Sequence, residues 1–180
     1  MKTPGLIIAT ILLTTGLFAQ EANSNQQPSK KERRKAEIEA NFQKTTGILA
    51  SRQFVIEADW LGNGKGDRIS VPSNLNFISV DSSNAVIQTG NNSRMGLNGV
   101  GGITARGTLS GWVMNSFEKR KTNSIKLNVL SPNGIYTIFL DVEASGYATA
   151  TLSGNTSGRL LFYGKIVPLG QSGTYTGSGY

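Results

Sequence analysis

Phe54-Val55-Ile56-Glu57-Ala58-Asp59-Trp60, followed by Gly62-Asn63-Gly64-Lys65-Gly66-Asp67, decides the fold class of this chain. Phe54, Ile56, Ala58 and Trp60 recur at a period of two, and Val55, Glu57 and Asp59 fill the alternate positions. Successive strand side chains point to opposite faces, so this is a half-buried antiparallel strand with an apolar inner and a polar outer face. The glycine-rich stretch then turns the chain into a second alternating run, Arg68 to Val71, giving a hairpin.

The same pattern repeats towards the C-terminus. Phe77 to Val80 and Ala85 to Thr89 form a second candidate hairpin across Asp81-Ser82-Ser83-Asn84. Gly90 to Gly107 carries six glycines and reads as a long loop or an irregular edge strand. Strands resume near Thr108 to Ser116, then at Ile125 to Val129. After the turn Pro132-Asn133-Gly134 come Tyr136 to Val142, Tyr147 to Leu152 and Arg159 to Val167. The expectation is mainly β: an antiparallel sandwich or barrel-like meander of about 8–10 short strands with one N-terminal α-helix. The spacing does not choose between an open sandwich and a closed barrel.

Upstream the period becomes helical. Ser29 and Glu32 match the capping box, and Ile38, Phe42, Thr45 and Leu49 make a narrow apolar stripe. A helix is predicted over about 30–45, docked by Ile38 and Phe42. Before it, residues 20–29 are polar and read as a flexible leader; residues 170–180, rich in Gly, Ser, Thr and Tyr, read as a flexible tail. Residues 30–169 form a single domain on this reading.

Residues 1–19 have the layout of a secretory signal peptide: Lys2, the apolar run Leu6 to Leu13, and a small residue, Ala19, at the cut. The run breaks at Thr14, Thr15 and Gly16, short of the ~20 apolar residues that span a bilayer. Periplasmic or secreted localisation is therefore expected, with no transmembrane segment after cleavage. The 180 − 19 = 161 residues that remain suffice for one core. They contain no Cys, so the domain holds together without disulfides, and lipid attachment at a cysteine is excluded. Formal charge falls from +7 to +6 when Lys2 is removed. That balance suits encounter with anionic lipid head groups, polysaccharide or nucleic acid, the first two being more available in an envelope; mild basicity common to many exported proteins is the simpler reading.

The layout also resembles a known family. It runs from signal peptide and charged helix to Ser51-Arg52-Gln53-Phe54-Val55-Ile56-Glu57-Ala58. A glycine-rich middle with Gly101-Gly102-Ile103 follows, then Tyr136-Thr137-Ile138-Phe139-Leu140 and a closing Tyr163-Gly164-Lys165-Ile166. This is similar to domain-of-unknown-function family 4251, exported proteins of Bacteroidota, over roughly residues 31–167. The resemblance implies an envelope location and a β-rich fold, and no activity. Many members look like lipoproteins; the missing Cys points here to a soluble form.

The absence of His removes the usual Ser-His-Asp and Cys-His nucleophiles. With Cys also absent, most zinc and copper sites are excluded. Gly62-Asn63-Gly64-Lys65-Gly66 fails the phosphate-loop pattern, because Gly66 follows the Lys and no helix follows. Gly99-Val100-Gly101-Gly102-Ile103-Thr104 lacks the strand-then-helix context of a dinucleotide fingerprint. No nucleotide cofactor, metal or catalytic residue is assigned.

Two carboxylate pairs sit at strand spacing, Glu57 with Asp59 and Asp141 with Glu143. Residues two apart on a strand are ~6–7 Å apart, which overlaps the spacing in inverting glycosidases. Their alternation with apolar residues favours a solvated face. Lys30, Lys31, Arg33, Arg34 and Lys35 oppose the dipole of the predicted helix; the charge run favours a frayed, solvated start compensated by Glu32, Glu37 and Glu39, with attachment to lipid phosphates as the functional alternative. The run Glu118-Lys119-Arg120-Lys121 reads as a turn. Trp60 shares its predicted face with Phe54 and Ile56 and belongs to core or rim. Trp112, after the glycine-rich loop, is the better ligand candidate, with Arg94 and Arg106 as weaker ones. The sequence thus favours an exported, non-catalytic binding or structural β domain. The alternatives are a carboxylate-dependent glycan hydrolase and, if the strands close, a carrier of a small apolar ligand.

Overall fold

The computed structural model describes residues 27–91, 101–154 and 158–177. The expected signal peptide, most of the leader, Arg94 and the last three residues lie outside them. Helix α1 (Lys30–Ala50) precedes nine strands: β1 (Gln53–Gly62), β2 (Arg68–Ser70), β3 (Phe77–Asp81), β4 (Asn84–Gln88), β5 (Thr104–Phe117), β6 (Thr122–Ser131), β7 (Gly134–Glu143), β8 (Tyr147–Ser153) and β9 (Arg159–Pro168).

Every pairing is antiparallel. Neighbours follow chain order from β3 to β9, and β9 returns to pair with β1 from Phe54 to Gly62. The meander is therefore a closed eight-stranded barrel, with short β2 hydrogen-bonded to the far half of β1. Closure removes the sheet edges that would otherwise need protection. A barrel of this size is just wide enough for side chains to fill. Phe54, Ile56, Ile78, Val80, Ile125, Leu127, Val129, Ile138, Leu140, Ala150 and Phe162 do so, all at 2 % exposure or less.

Helix α1 covers one end. The sequence supplies its start: the Ser29 hydroxyl accepts from the Glu32 amide, and the Glu32 carboxylate accepts from the Ser29 amide. The helix runs to Ala50, beyond the predicted end, and docks through Phe42, Thr45 and Leu49. Ile38, expected to dock, is 40 % exposed because the helix overhangs the barrel before Phe42. The Thr46 and Ser116 hydroxyls both donate to buried Asn123 Oδ1 at the start of β6. Lys121, in the predicted turn after β5, pairs with Glu39 at 2.5 Å and lies over the Phe42 ring.

The chain's C-terminal part is docked as well. After a single 3₁₀ turn at Leu169–Gln171, residues 172–177 cross the outer wall of β1, β3, β4 and β5. Beneath them lies one register row, Glu57–Phe77–Gln88–Thr104. Phe77, Gln88 and Thr104 are fully buried although they point away from the barrel interior. A flexible tail was expected over 170–180; as far as Gly177 the chain is instead a hydrogen-bonded strap, because these outward polar groups offer it partners.

Candidate functional site

Two β-bulges exchange the places expected for the two tryptophans. On β1 the register against β9 shifts between Ala58 and Trp60. A bulge inserts one extra residue and reverses the facing of those that follow. Trp60 is thereby turned outward and is 45 % exposed, while Leu61 takes the inward position. On β5 the register shifts between Ser110 and Val113, around Gly111 at φ +65°. A glycine accepts this left-handed conformation without steric cost. Trp112 is thereby turned inward, 6.2 Å from the Phe54 ring, with the Arg52 guanidinium 5.0 Å above its face. A strict period of two places both residues the other way; a glycine inside a strand was the available signal for one of the shifts.

The other sequence candidates separate. Arg106 donates from Nη2 to the Gly177 carbonyl and holds the strap. Glu57 accepts from the Ser172 hydroxyl at 2.6 Å and from the Gly173 amide at 3.2 Å. It belongs to that anchor, and its strand neighbour Asp59 is exposed. Arg94 lies outside the described residues. Asp141 and Glu143 are brought to one place, a groove of about 370 Å³ outside β6, β7 and β8. Arg120, Thr122, Ser124, Tyr147 and Thr149 line it with them. The Ser124 hydroxyl donates to Asp141, and the Ser145 hydroxyl donates to Glu143 at 3.5 Å.

The groove continues into an aromatic row. In strand register Ser124 faces Asp141, Asp141 faces Thr149, Thr149 faces Tyr163, and Tyr163 faces Trp60. These residues alternate with buried Ile125, Leu140, Ala148, Ala150 and Phe162, so their side chains point outward. The Arg68 guanidinium stacks 3.9 Å from the Tyr163 ring. This open row meets the wall covered by the strap at β1, where Trp60 lies three residues beyond the strap anchor Glu57. It combines flat rings with hydroxyls and carboxylates; Asp141 and Glu143 are exposed, and Ser124, Thr149 and Tyr163 are half-buried. Among the described residues no three His, Cys, Asp or Glu side chains come together to hold a metal ion.

A family model described as a domain of unknown function, DUF4251, matches residues 36–166. The chain belongs to this family. A crystal structure at 1.95 Å resolution of a DUF4251 family protein from Bacteroides eggerthii DSM 20697 is similar to it, with a TM-score of 0.63 and 28 % sequence identity. The match covers 74 % of this chain and 91 % of that one. No functionally curated protein matches the chain. The matched region of this DUF4251 chain spans all nine strands to Ile166 and the part of α1 that docks. Within it, the opening Ser51 to Ala58 stretch and the closing Tyr163 to Ile166 stretch pair with each other: Ile56 faces Ile166, and Ala58 faces Gly164. The opening and closing stretches that carry the resemblance thus meet at the seam that closes the barrel.

No described helix is long and apolar enough to cross a membrane, which says nothing of strands.

Proposed function

We propose that this protein is an exported, non-catalytic envelope domain that binds a glycan along the open wall of its barrel. One observation carries the reading: the β1 bulge turns Trp60 out of the core and into line with Tyr163, Thr149 and Asp141. An exposed tryptophan loses stability that burial would give it, so an aromatic held outward by an irregularity suits a binding role. Aromatic faces cover the C–H faces of sugar rings, and the adjoining hydroxyls and carboxylates match sugar hydroxyls. The layout of residues 1–19 supports export, to a compartment where polysaccharides are abundant.

Affinity electrophoresis through gels holding dextran, solubilised peptidoglycan or alginate tests it. At least one polysaccharide should retard the protein, and Trp60→Ala and Tyr163→Ala should each abolish most of the retardation. Unaltered migration in all three gels counts against the proposal.

A second reading, hydrolysis, rests on Asp141 and Glu143 sharing one groove. Both are exposed and come from one strand, whereas catalytic carboxylates ordinarily converge from different elements. Release of reducing ends by the wild type, lost in Asp141→Asn and Glu143→Gln, would establish it. The carrier alternative loses support, because Phe54, Phe162 and their neighbours fill the barrel interior.

A further inference from the structure

We infer, on the glycan-binding reading, that the bound saccharide is acidic and that Arg68 selects it by receiving a sugar carboxylate beside Trp60.

Arg68 opens β2, a three-residue strand that is exposed throughout and hydrogen-bonded to the far half of β1. It faces Gly62, and Gly62 faces Leu161 of β9. Gly62 puts no side chain between the flanking strands: a Cβ there would lie 3.1 Å from Tyr163 Cε2 and 3.7 Å from Arg68 Cγ. The Arg68 side chain therefore crosses β1, and its guanidinium comes to rest 3.9 Å from the centre of the Tyr163 ring. Trp60 lies beside this stack, opposite Tyr163 on β9 and Ser70 on β2.

The guanidinium is held but not neutralised. Stacking on an aromatic face fixes its position without using its N–H groups. Among the described residues Arg68 has no ion pair, and no protein group accepts a hydrogen bond from it. Two neighbouring acids are engaged elsewhere. Asp67 accepts from Asn63 at 2.7 Å, and Glu57 accepts from Ser172 and Gly173 of the strap. Asp59, exposed on the bulge, forms no ion pair with Arg68. Lys165, two residues beyond Tyr163 on β9, is exposed and adds a second positive charge.

A guanidinium presents a planar fork of N–H donors that matches the two oxygens of a carboxylate. Ordering a free arginine for a ligand costs side-chain entropy, and the Tyr163 ring has already fixed this one. At the far end of the row, two strands away, Asp141 and Glu143 repel a ligand carboxylate. The charged group of the saccharide is thereby directed to the Trp60 end. A neutral sugar would use Trp60 and leave Arg68 idle.

Isothermal titration calorimetry of the full-length chain tests this with alginate oligomers and soluble peptidoglycan fragments, each beside its carboxyl-reduced form. The buffer holds about 0.15 M salt, so that charges farther than ~8 Å are largely screened. At least one acidic glycan should bind about tenfold more tightly than its reduced form, or better. Arg68→Lys keeps the charge and loses the planar fork. It should bind that acidic glycan about tenfold more weakly and its reduced form as the wild type does. Arg34→Lys, the same change made on α1, should alter neither.

Equal affinity for the acidic and reduced forms overturns the inference and leaves glycan binding standing. Retardation by dextran with no binding of either acidic glycan does the same. An Arg68→Lys variant that binds like the wild type also overturns it, because net charge alone would then act. No interaction with any of these glycans removes both readings. Unchanged thermal unfolding of each variant confirms that the fold is intact.

Discussion

The Ser172 hydroxyl donates a 2.6 Å hydrogen bond to the Glu57 carboxylate, joining the first strand to the C-terminal strap across most of the chain. The next anchor along the strap is Gln88. Its amide donates to the Tyr175 and Leu75 carbonyls, and its oxygen accepts from the Gly177 amide and the Thr104 hydroxyl. Both anchors belong to the same register row, so the strap reads outward-facing polar groups of the barrel.

Removal of these anchors should act on different scales. Glu57→Ala loses a charge-assisted pair at the strap's start and should cost about 1–2 kcal/mol. Gln88→Ala leaves several buried groups unpartnered and should cost about 3 kcal/mol or more. Chemical denaturation measures both. Hydrogen exchange should show Tyr175 and Gly177 amides opening first in Glu57→Ala, while amides of β6 and β7 stay protected.

Two glycines predict opposite outcomes for one substitution. At Gly164 an added Cβ would overlap the Glu57 carbonyl and the Ala58 backbone, at the seam of β9 and β1. Backbone cannot yield there, so Gly164→Ala should destabilise by ~3 kcal/mol or leave no soluble product. Gly47 lies inside α1 with nothing within 4 Å of the added carbon. Gly47→Ala should stabilise by ~0.5–1 kcal/mol, through the lower entropy of its unfolded chain. Paired melting curves decide both.

The Glu39–Lys121 pair sets a pH window for the helix. Hydrogen bonds from Gln43 and then Lys121 hold the Glu39 carboxyl below its usual range. The Glu39 carboxylate, aided by Glu118, holds the Lys121 ammonium above its own. A lowered acid contributes stability above its unfolded value, about 4.3, and loses it as pH falls through the folded value. A raised base contributes below about 10.4 and loses it as pH rises through the folded value. The wild type should therefore melt above Glu39→Gln between these limits, and the two should converge towards pH 3. A constant difference at low pH would show that the pair does not contribute.

The two tryptophans should separate binding from stability. Trp60→Ala removes an exposed ring and should leave the melting temperature nearly unchanged while weakening glycan retention. Trp112→Ala removes a ring packed on Phe54 and Arg52, and should cost about 2–3 kcal/mol while leaving retention intact. Measuring both properties on both variants makes the assignment reversible: the opposite pattern would return the site to Trp112.

The sequence by itself determined the local structure. The Ser29–Glu32 box, the helical stripe of Phe42, Thr45 and Leu49, and the alternation along Ile125 to Val129 and Tyr136 to Val142 each act over a few residues. Successive hairpins follow from turns such as Pro132-Asn133-Gly134, and they set neighbour order. The opening and closing motifs also identified the family, because they were readable as written. Tertiary structure alone decided what depends on distant partners. Closure of β9 on β1 rests on contacts about a hundred residues apart, and short-range periodicity is the same in a sandwich and a barrel. The facing of Trp60 and Trp112 rests on bulges, where one extra residue inverts the alternation on which strand reading depends. The strap rests on Glu57, Gln88 and Arg106, polar residues whose partners lie far along the chain and leave no periodic trace.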